Sequence, residues 1–177
     1  HTRLSIIDLS SSGHQPMSSC SSRYTIIFNG EIYNYKELRS ELKLLGVIFR
    51  GASDTEVLLA AWEQWGVECL PRLIGMFAFV VFDHVESSLT LVRDAFGIKP
   101  LFFTFNEERL AFSSEIPALL GLLSEKPKLN SSRAFKYLVL GSYDEGQDTF
   151  YEDIHHVMPS QIIKFQLKDY RIEFCRK

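Results

Sequence analysis

The sequence predicts an α+β fold, because helical and strand-like segments are grouped along the chain instead of alternating. Two amphipathic helical patterns come early, at residues 35–45 and 54–65. From Met76 onward four apolar runs follow with only turn-sized gaps between them: MFAFVVFD, SLTLVRD, PLFFTF and RLAFSSE. Gaps of this length are typical of antiparallel hairpins. We therefore expect an antiparallel meander within layers of helices, and not a doubly wound βαβ sheet.

The four runs of this meander are apolar at nearly every position. Strands of that composition have both faces covered, so we expect a second sheet or helices on each side. Two helices are predicted after the meander, at residues 116–122 and 131–140. The tail segments QIIKFQL and RIEFC are predicted to form a last hairpin.

The two early helices have recognisable ends. Asn34 with Glu37 three residues later is the pattern of an N-cap, and Gly46 ends the apolar periodicity. The second helix starts either at Ser53, with Glu56 three residues on, or at Asp54, and Gly66 closes it. Strands are predicted for RLSIIDL near the start of the chain, for YTIIF at residues 24–28 and for VIF at residues 47–49.

Composition and charge narrow the class of protein. The chain has 177 residues, is 46% hydrophobic and carries a formal net charge of −3 without a basic block. These values are typical of one folded domain and argue against nucleic acid or an anionic membrane as the partner. The longest apolar run, LIGMFAFVVF, is half of the roughly 20 residues that a membrane-spanning helix needs. We interpret it as a buried strand.

Cysteine and motif content exclude several further classes. The three cysteines (Cys20, Cys69 and Cys175) are an odd number with no CxxC, so we expect reduced thiols in the cytoplasm, with neither a disulfide framework nor a metal site. The sequence lacks GxGxxG, GxxxxGK[ST], HExxH and GxSxG. The adjacent pair of His155 and His156 should point apart and lie on the surface.

Candidate functional residues lie at element boundaries: Arg3, the trio Asn29-Gly30-Glu31, and Asp54. Singly, each has a structural interpretation, as a surface cation, a turn and a helix cap. Together they have the chemistry for an α-amino acid undergoing acyl transfer, since a guanidinium binds a carboxylate, paired carboxylates bind an ammonium, and Asn beside a Gly N–H stabilises an oxyanion. No second strand follows Asn29-Gly30, so we expect this trio to be exposed between a strand and a helix.

Six collinear segments give the chain a family resemblance: RLSIIDLSSSGHQPM, IIFNGEIYNYKELRSEL, SDTEVLLAAWEQWG, LPRLIGMFAFVVFD, RDAFGIKPLFF and FSSEIPALL. In order and spacing they resemble the glutaminase domain of glutamine-hydrolysing asparagine synthetases, which are class II glutamine amidotransferases. The resemblance implies an N-terminal-nucleophile hydrolase fold, a four-layer αββα sandwich of two antiparallel sheets. It also implies glutamine as the substrate and no metal or cofactor within this domain.

The resemblance assigns a role to each candidate residue. Arg3 would bind the glutamine α-carboxylate, with main-chain groups near Leu4 and Ile6 completing the pocket. Asn29 and the Gly30 backbone N–H would form the oxyanion hole. The pair around the α-amino group would be Glu31 and Asp54.

The nucleophile that the resemblance implies is a cysteine at the mature N-terminus, and none of the three cysteines has that position. We therefore expect residues 1–177 to be an amidotransferase domain without its nucleophile strand, inactive alone, that precedes a synthetase domain using ATP and Mg²⁺. The parent protein would be a cytoplasmic enzyme that uses the ammonia to convert aspartate to asparagine, and a homodimer is compatible with this. Two alternatives stay open: a paralogous amidotransferase with a sugar or specialised acceptor, and a non-hydrolytic binding module.

Overall fold

A computed structural model describes residues 13–106, 109–142, 146–168 and 171–176. Within these residues the chain forms two antiparallel sheets with helices outside them, which confirms the α+β prediction. The predicted strand RLSIIDL and the candidates Arg3, Leu4 and Ile6 lie outside the described residues.

In the part of the chain that the structure describes, the larger sheet has six strands in the order β1-β2-β3-β4-β8-β9. They are β1 (Met17–Ser18), β2 (Tyr24–Ile32), β3 (Gly75–Asp83), β4 (Ser88–Arg93), β8 (Ile162–Gln166) and β9 (Arg171–Arg176). The tail hairpin β8–β9 is confirmed, and β8 also pairs with β4. The smaller sheet, in the order β6-β5-β7, contains β5 (Phe102–Asn106), β6 (Arg109–Ser113) and β7 (His155–His156).

The prediction of one continuous meander is wrong, because its four strands form two hairpins in different sheets. Strands β3 and β4 pair in the larger sheet, and β5 and β6 pair in the smaller one. The connection from Arg93 to Leu101 looks like a turn in the sequence. In the structure the Asp94 carboxylate accepts three backbone N–H groups of this connection and one of β3, and so fixes a loop that leaves the first sheet.

Five described helical segments complete the fold: α1 (Tyr35–Leu44), α2 (Asp54–Trp65), a 3-10 helix (Gly66–Arg72), α3 (Ile116–Leu122) and α4 (Ser131–Leu140). The α3 and α4 predictions are confirmed to the residue. Residues 47–49 are not a strand, because Val47 and Phe49 pack instead against the cluster between the early helices and the sheet. None of the described helices is long and apolar enough to cross a membrane.

The two early helices begin differently, because a side chain caps α2 but not α1. Ser53 Oγ accepts a hydrogen bond from Glu56 N at 3.2 Å, so Ser53 and not Asp54 caps α2. Asn34 precedes α1 but makes no side-chain cap. Its amide bonds instead to Arg72 O and Ile74 N, both at 2.9 Å, and ties the start of α1 to the approach to β3.

Three apolar clusters separate four layers. One lies between α1, α2 and the larger sheet and includes Leu42, Leu58 and Phe79. A second lies between the two sheets and includes Val80 and Phe103, among others. The third lies between the smaller sheet and α3, and its members include Ala111, Leu119 and Ile154. The order is therefore helix, sheet, sheet, helix, as the resemblance implied.

Candidate active site

The trio Asn29-Gly30-Glu31 lies inside strand β2. It pairs in antiparallel register with Ala78, Phe77 and Met76 of β3. The prediction that it is exposed between a strand and a helix is therefore wrong, and β2 continues to Ile32. The turn-like Asn-Gly dipeptide occurs within a strand because the neighbouring strand approaches too closely for a side chain.

That close approach is visible at two glycines. A Cβ on Gly30 would lie 2.7 Å from Phe77 Cα and closer still to Met76 O. A Cβ on Gly75 would lie 3.1 Å from Ile32 Cα and closer still to Glu31 O. Side chains at either position would push β2 and β3 apart. Glycine at both positions therefore lets the two strands lie close together, and the backbone around Gly30 has no side chain of its own to keep a ligand away.

The edge of β2 that faces away from β3 presents a row of backbone N–H groups. Strand β1 pairs only with Thr25 and Ile26 on this side. Farther along, Phe28 N donates to Gln15 Oε1 at 2.6 Å and Ile32 N donates to Asp54 Oδ2 at 3.1 Å. Because N–H groups in a strand alternate between its two edges, the Gly30 N–H points to this same edge, between the other two. That is the orientation an oxyanion-hole donor needs.

The side chain of Asn29 is oriented by the smaller sheet. Its Nδ2 donates to Ser114 Oγ at 3.2 Å, directly after β6. A primary amide carries two N–H groups, so this bond uses one and fixes the direction of the other. Asn29 and Glu31 lie on the same face of β2, because side chains alternate along a strand. An amide donor and a carboxylate therefore occur on either side of the Gly30 backbone.

Asp54 lies at the first position of α2 and is only 5% exposed. Its Oδ2 accepts from Ile32 N, and its Oδ1 accepts from Thr55 N at 2.9 Å. Burial raises the pKa of this carboxyl group, the two backbone donors oppose that rise, and the charge of Glu31 adds to it. Two neighbouring carboxylates with one of them desolvated form an environment that a bound ammonium would stabilise. The structure thus brings together four of the predicted site residues: Asn29, Gly30, Glu31 and Asp54.

The loop after β4 supports this site from the other side of β3. Asp94 is 2% exposed and accepts N–H bonds from Phe77, Phe96, Ile98 and Lys99. Since Phe77 pairs with Gly30, the carboxylate of Asp94 fixes the strand against which Gly30 lies. In the sequence RDAFG was identified only as part of a family motif, so this role of Asp94 was missed. The available signal was an Asp two residues before the Phe-Gly of a turn.

Gln15 and Ser114 were also missed, because neither lies in a pattern that identifies a partner. Gln15 is 8% exposed, and besides Phe28 it contacts Thr55 Oγ1 through Nε2 at 3.5 Å. Ser114 was assigned only to a strand-like run. Their partners are distant in sequence, and only the folded chain brings them together.

The described cysteines have contrasting surroundings. Cys20 is exposed in the serine-rich loop SSCSS, residues 18–22, and Cys69 is buried in the 3-10 helix. Burial raises the pKa of the Cys69 thiol to about 12, so that thiol stays protonated at neutral pH. Among the described residues no cluster of three or more His, Cys, Asp or Glu side chains could hold a metal ion.

The two adjacent histidines are half-buried, and both belong to β7. His155 Nδ1 lies 3.6 Å from Asp148 Oδ1, and His156 stacks against Phe102. The prediction that they lie on the surface is therefore only partly right. They are in the smaller sheet, where His156 pairs with Phe102 and His155 with Phe103 of β5.

Comparison with known proteins gives one family for the chain. A family model described as a glutamine amidotransferase domain matches residues 1–174. An asparagine synthetase (glutamine-hydrolysing) of Bacillus subtilis, numbered 3, is 36% identical over 168 residues, covering 93% of this chain and 27% of the relative. A putative asparagine synthetase (glutamine-hydrolysing) of Mycobacterium bovis is 48% identical over 126 residues, covering 68% of this chain and 19% of the relative.

A differently named relative and two solved structures extend the comparison. A Gibberella zeae protein named amidase chry2 is 32% identical over 163 residues, 92% of this chain and 23% of the relative. The glutamine phosphoribosylpyrophosphate amidotransferase of B. subtilis has a TM-score of 0.66 at 20% identity, covering 98% of this chain and 34% of that one. A class II domain protein from Silicibacter pomeroyi has a TM-score of 0.54 at 14% identity, covering 91% and 72%. These likenesses support the fold, and the chain spans only a quarter or so of the curated relatives.

Proposed function

Because this chain belongs to the family of glutamine amidotransferase domains, we propose that it is the glutamine-binding and glutamine-hydrolysing part of an asparagine synthetase. The observation that carries the proposal is the edge of β2, where the Gly30 N–H, the Asn29 amide and the carboxylates of Glu31 and Asp54 meet. This edge offers donors for a developing oxyanion and anions for an ammonium, which are the two ends of glutamine.

At the amide end, Asn29 Nδ2 and the Gly30 N–H stabilise the negative oxygen that forms when the side-chain carbonyl is attacked. Such donors act because they are oriented before the reaction, and removing one costs about 10²- to 10³-fold in kcat. The bond from Asn29 to Ser114 and the close packing of Gly30 on β3 supply that fixed orientation. In this proposal the nucleophile is a cysteine at the mature N-terminus, because Cys69 is buried and Cys20 lies in the serine-rich loop.

At the amino-acid end, Glu31 and Asp54 bind the α-ammonium. The buried carboxyl of Asp54 has a raised pKa, and an ammonium beside it favours the ionised form again. In this proposal Arg3 pairs with the α-carboxylate, and main-chain groups near Leu4 and Ile6 complete the pocket. A free amino acid is thus distinguished from an internal glutamine residue of a protein by both of its charged groups.

The ammonia serves a synthetase domain of the parent protein, where ATP and Mg²⁺ activate aspartate. No residue of this chain is assigned to either of these cofactors. In the same proposal the parent protein is in the cytoplasm and forms a homodimer.

The test uses the full-length protein, glutamine labelled with ¹⁵N at its side-chain amide, aspartate, ATP and Mg²⁺. We expect one labelled asparagine for each glutamate released. Release of glutamate without asparagine would mean that the protein hydrolyses glutamine but that its acceptor is not aspartate. If the full-length protein released neither product, the proposed function would be wrong and a non-hydrolytic binding module would take its place.

A further inference from the structure

We propose that Gln15 is a positioning residue of this site, because its side chain braces the edge of β2 and thereby fixes the direction of the Gly30 N–H. The inference rests on the proposed function, since it assigns Gln15 an effect on glutamine hydrolysis. The side-chain hydrogen bonds of Gln15 in the described part of the chain go to neither Asn29, Gly30 nor Glu31. Gln15 acts through Phe28 and Thr55, the residues that precede Asn29 and follow Asp54.

The first step is the contact with Phe28. Strand β1 ends its pairing with β2 at Ile26, so from Phe28 on this edge has no hydrogen-bond partner from β1. The Gln15 carbonyl oxygen replaces a strand carbonyl there, and its distance of 2.6 Å from Phe28 N is the shortest of the bonds that brace this edge. A buried side-chain amide in that position has to be paired, so its conformation is fixed.

The second step is the symmetry of the brace about Gly30. Gln15 binds the N–H two residues before Gly30, and Asp54 binds the N–H two residues after it. Both N–H groups point to the same edge as that of Gly30. Bonds at both flanking positions hold this edge of β2 in place and restrict the movement of the peptide between them, which carries the Gly30 N–H. The direction of the Gly30 N–H therefore depends on both side chains.

The third step is the link between the two braces. Gln15 Nε2 contacts Thr55 Oγ1 at 3.5 Å, and Thr55 N donates to Asp54 Oδ1 at 2.9 Å. With the bond from Ile32 N to Asp54 Oδ2, these contacts form a closed ring: Phe28, Gln15, Thr55, Asp54, Ile32 and the strand back to Phe28. Through this ring Gln15 couples the oxyanion end of the pocket to its ammonium end.

The expected consequence is mainly on kcat. Asn29 and Glu31 keep their own side chains when Gln15 is changed, so glutamine still binds. The Gly30 N–H loses its exact direction, and a misplacement of about 1 Å at a reacting centre costs about 100-fold in rate. We expect Gln15→Met in the full-length protein to lower the kcat of glutamine hydrolysis by about 10- to 100-fold, with a much smaller rise in KM.

A matched control exists in Gln161, which is 5% exposed and also accepts a backbone N–H, from Met158 at 2.7 Å. It precedes β8, which is separated from β2 by β3 and β4. Gln161→Met removes the same type of buried amide, with β3 and β4 between it and β2. We expect its kcat and KM per folded molecule to equal those of wild type, although its melting temperature falls. Gln15→Glu keeps an acceptor for Phe28 N and should recover part of the kcat lost in Gln15→Met.

Equal kcat values for folded Gln15→Met and Gln161→Met would overturn the inference. If Gln15→Met does not fold, the pair Gln15→Asn and Gln161→Asn decides in the same way, because the shorter amide stays polar but cannot reach Phe28 N. If wild type releases no ammonia, the proposed function fails separately, and amide hydrogen exchange then tests the brace. Faster exchange at Phe28 and Gly30 in Gln15→Met than in Gln161→Met supports the brace, and equal exchange contradicts it.

Discussion

Replacing Asp54 by alanine in the full-length protein should remove most glutamine-dependent asparagine synthesis while leaving ammonia-dependent synthesis almost intact. The reason is the step at which Asp54 acts. It contributes to the pocket for the glutamine ammonium, whereas free ammonia enters after glutamine has been hydrolysed. A general structural role would lower both activities together. The two rates, measured side by side, therefore separate a role in binding from a role in folding.

The free-energy cost of Asp54→Ala has two parts, one in folding and one in glutamine binding. Asp54 accepts N–H bonds from Ile32 and Thr55, and leaving buried donors unpaired costs about 1–3 kcal/mol each in stability. That loss affects both activities and is removed by normalising each rate to the folded fraction. The glutamine ammonium also loses a desolvated charge partner, and this weakens glutamine binding alone by about 2–5 kcal/mol. Since about 1.4 kcal/mol corresponds to a factor of ten, kcat/KM for glutamine should fall by about 30-fold or more.

Asp83 provides the control for this experiment. It is also a largely buried carboxylate, 8% exposed, and accepts backbone N–H bonds from Val85 and Glu86. It lies at the far end of β3 from Gly75, away from the trio at Asn29. Asp83→Ala should leave the ratio of the two activities unchanged. An equal fall of both activities in Asp54→Ala, after normalisation, would refute the assignment of Asp54 to the ammonium pocket.

Three further results are expected. The 177-residue chain alone should release no ammonia from glutamine, because none of its cysteines is placed as the nucleophile; ammonia above the buffer blank that disappears in Cys20→Ala would contradict this. Neither Cys20 nor Cys69 should be alkylated rapidly and selectively at pH 6, since Cys69 is buried with a pKa raised to about 12 and Cys20 has no cation assigned to it. Burial raises the pKa of Asp54 in the folded state above its ordinary value of 3.8. The stability that protonated Asp54 contributes is therefore complete below pH 3.8 and is lost as the pH rises through the raised pKa. Denaturant melts of Asp54→Asn should therefore show a smaller loss of stability than wild type over that pH range, and parallel curves would mean that the pKa of Asp54 is not raised.

Much of the fold could be predicted from the sequence because its signals are local. Ser53 and Glu56 mark the start of α2 through a bond that spans three residues, and Gly66 ends the helix with a positive φ of 57°. The α3 and α4 segments were likewise predicted with the bounds that they have in the structure. Each of these depends on residues within one or two turns of the chain, which a sequence displays directly.

The assignment of strands to sheets could not be predicted, because it depends on distant partners. Strands β5 and β6 look like a continuation of β3 and β4 in sequence, and only the loop fixed by Asp94 directs them into a second sheet. Asn29-Gly30 looks like a turn by composition, although its neighbour β3 holds it as a strand. A dipeptide preference is weaker than a ladder of backbone hydrogen bonds on one side.

The candidate site was predicted in part, and its missing part has a clear cause. The resemblance identified Asn29 and Asp54 by their position in motifs, and the structure brings both to the edge of β2. Ser114 bonds to Asn29 and Gln15 bonds to Phe28, and each lies outside the motif to which its partner belongs. The sequence contains no spacing rule that connects Gln15 to Phe28 or Asn29 to Ser114.

The central claim, that the edge of β2 stabilises an oxyanion on glutamine, is tested most directly by ammonia release from glutamine in wild-type full-length protein and in Asn29→Ala. We expect release by wild type and a fall in kcat of about 10²- to 10³-fold in the variant, with KM for glutamine almost unchanged. Thermal melts of both proteins should be run in parallel, so that each rate refers to folded enzyme. A folded Asn29→Ala variant with the wild-type kcat would contradict the account.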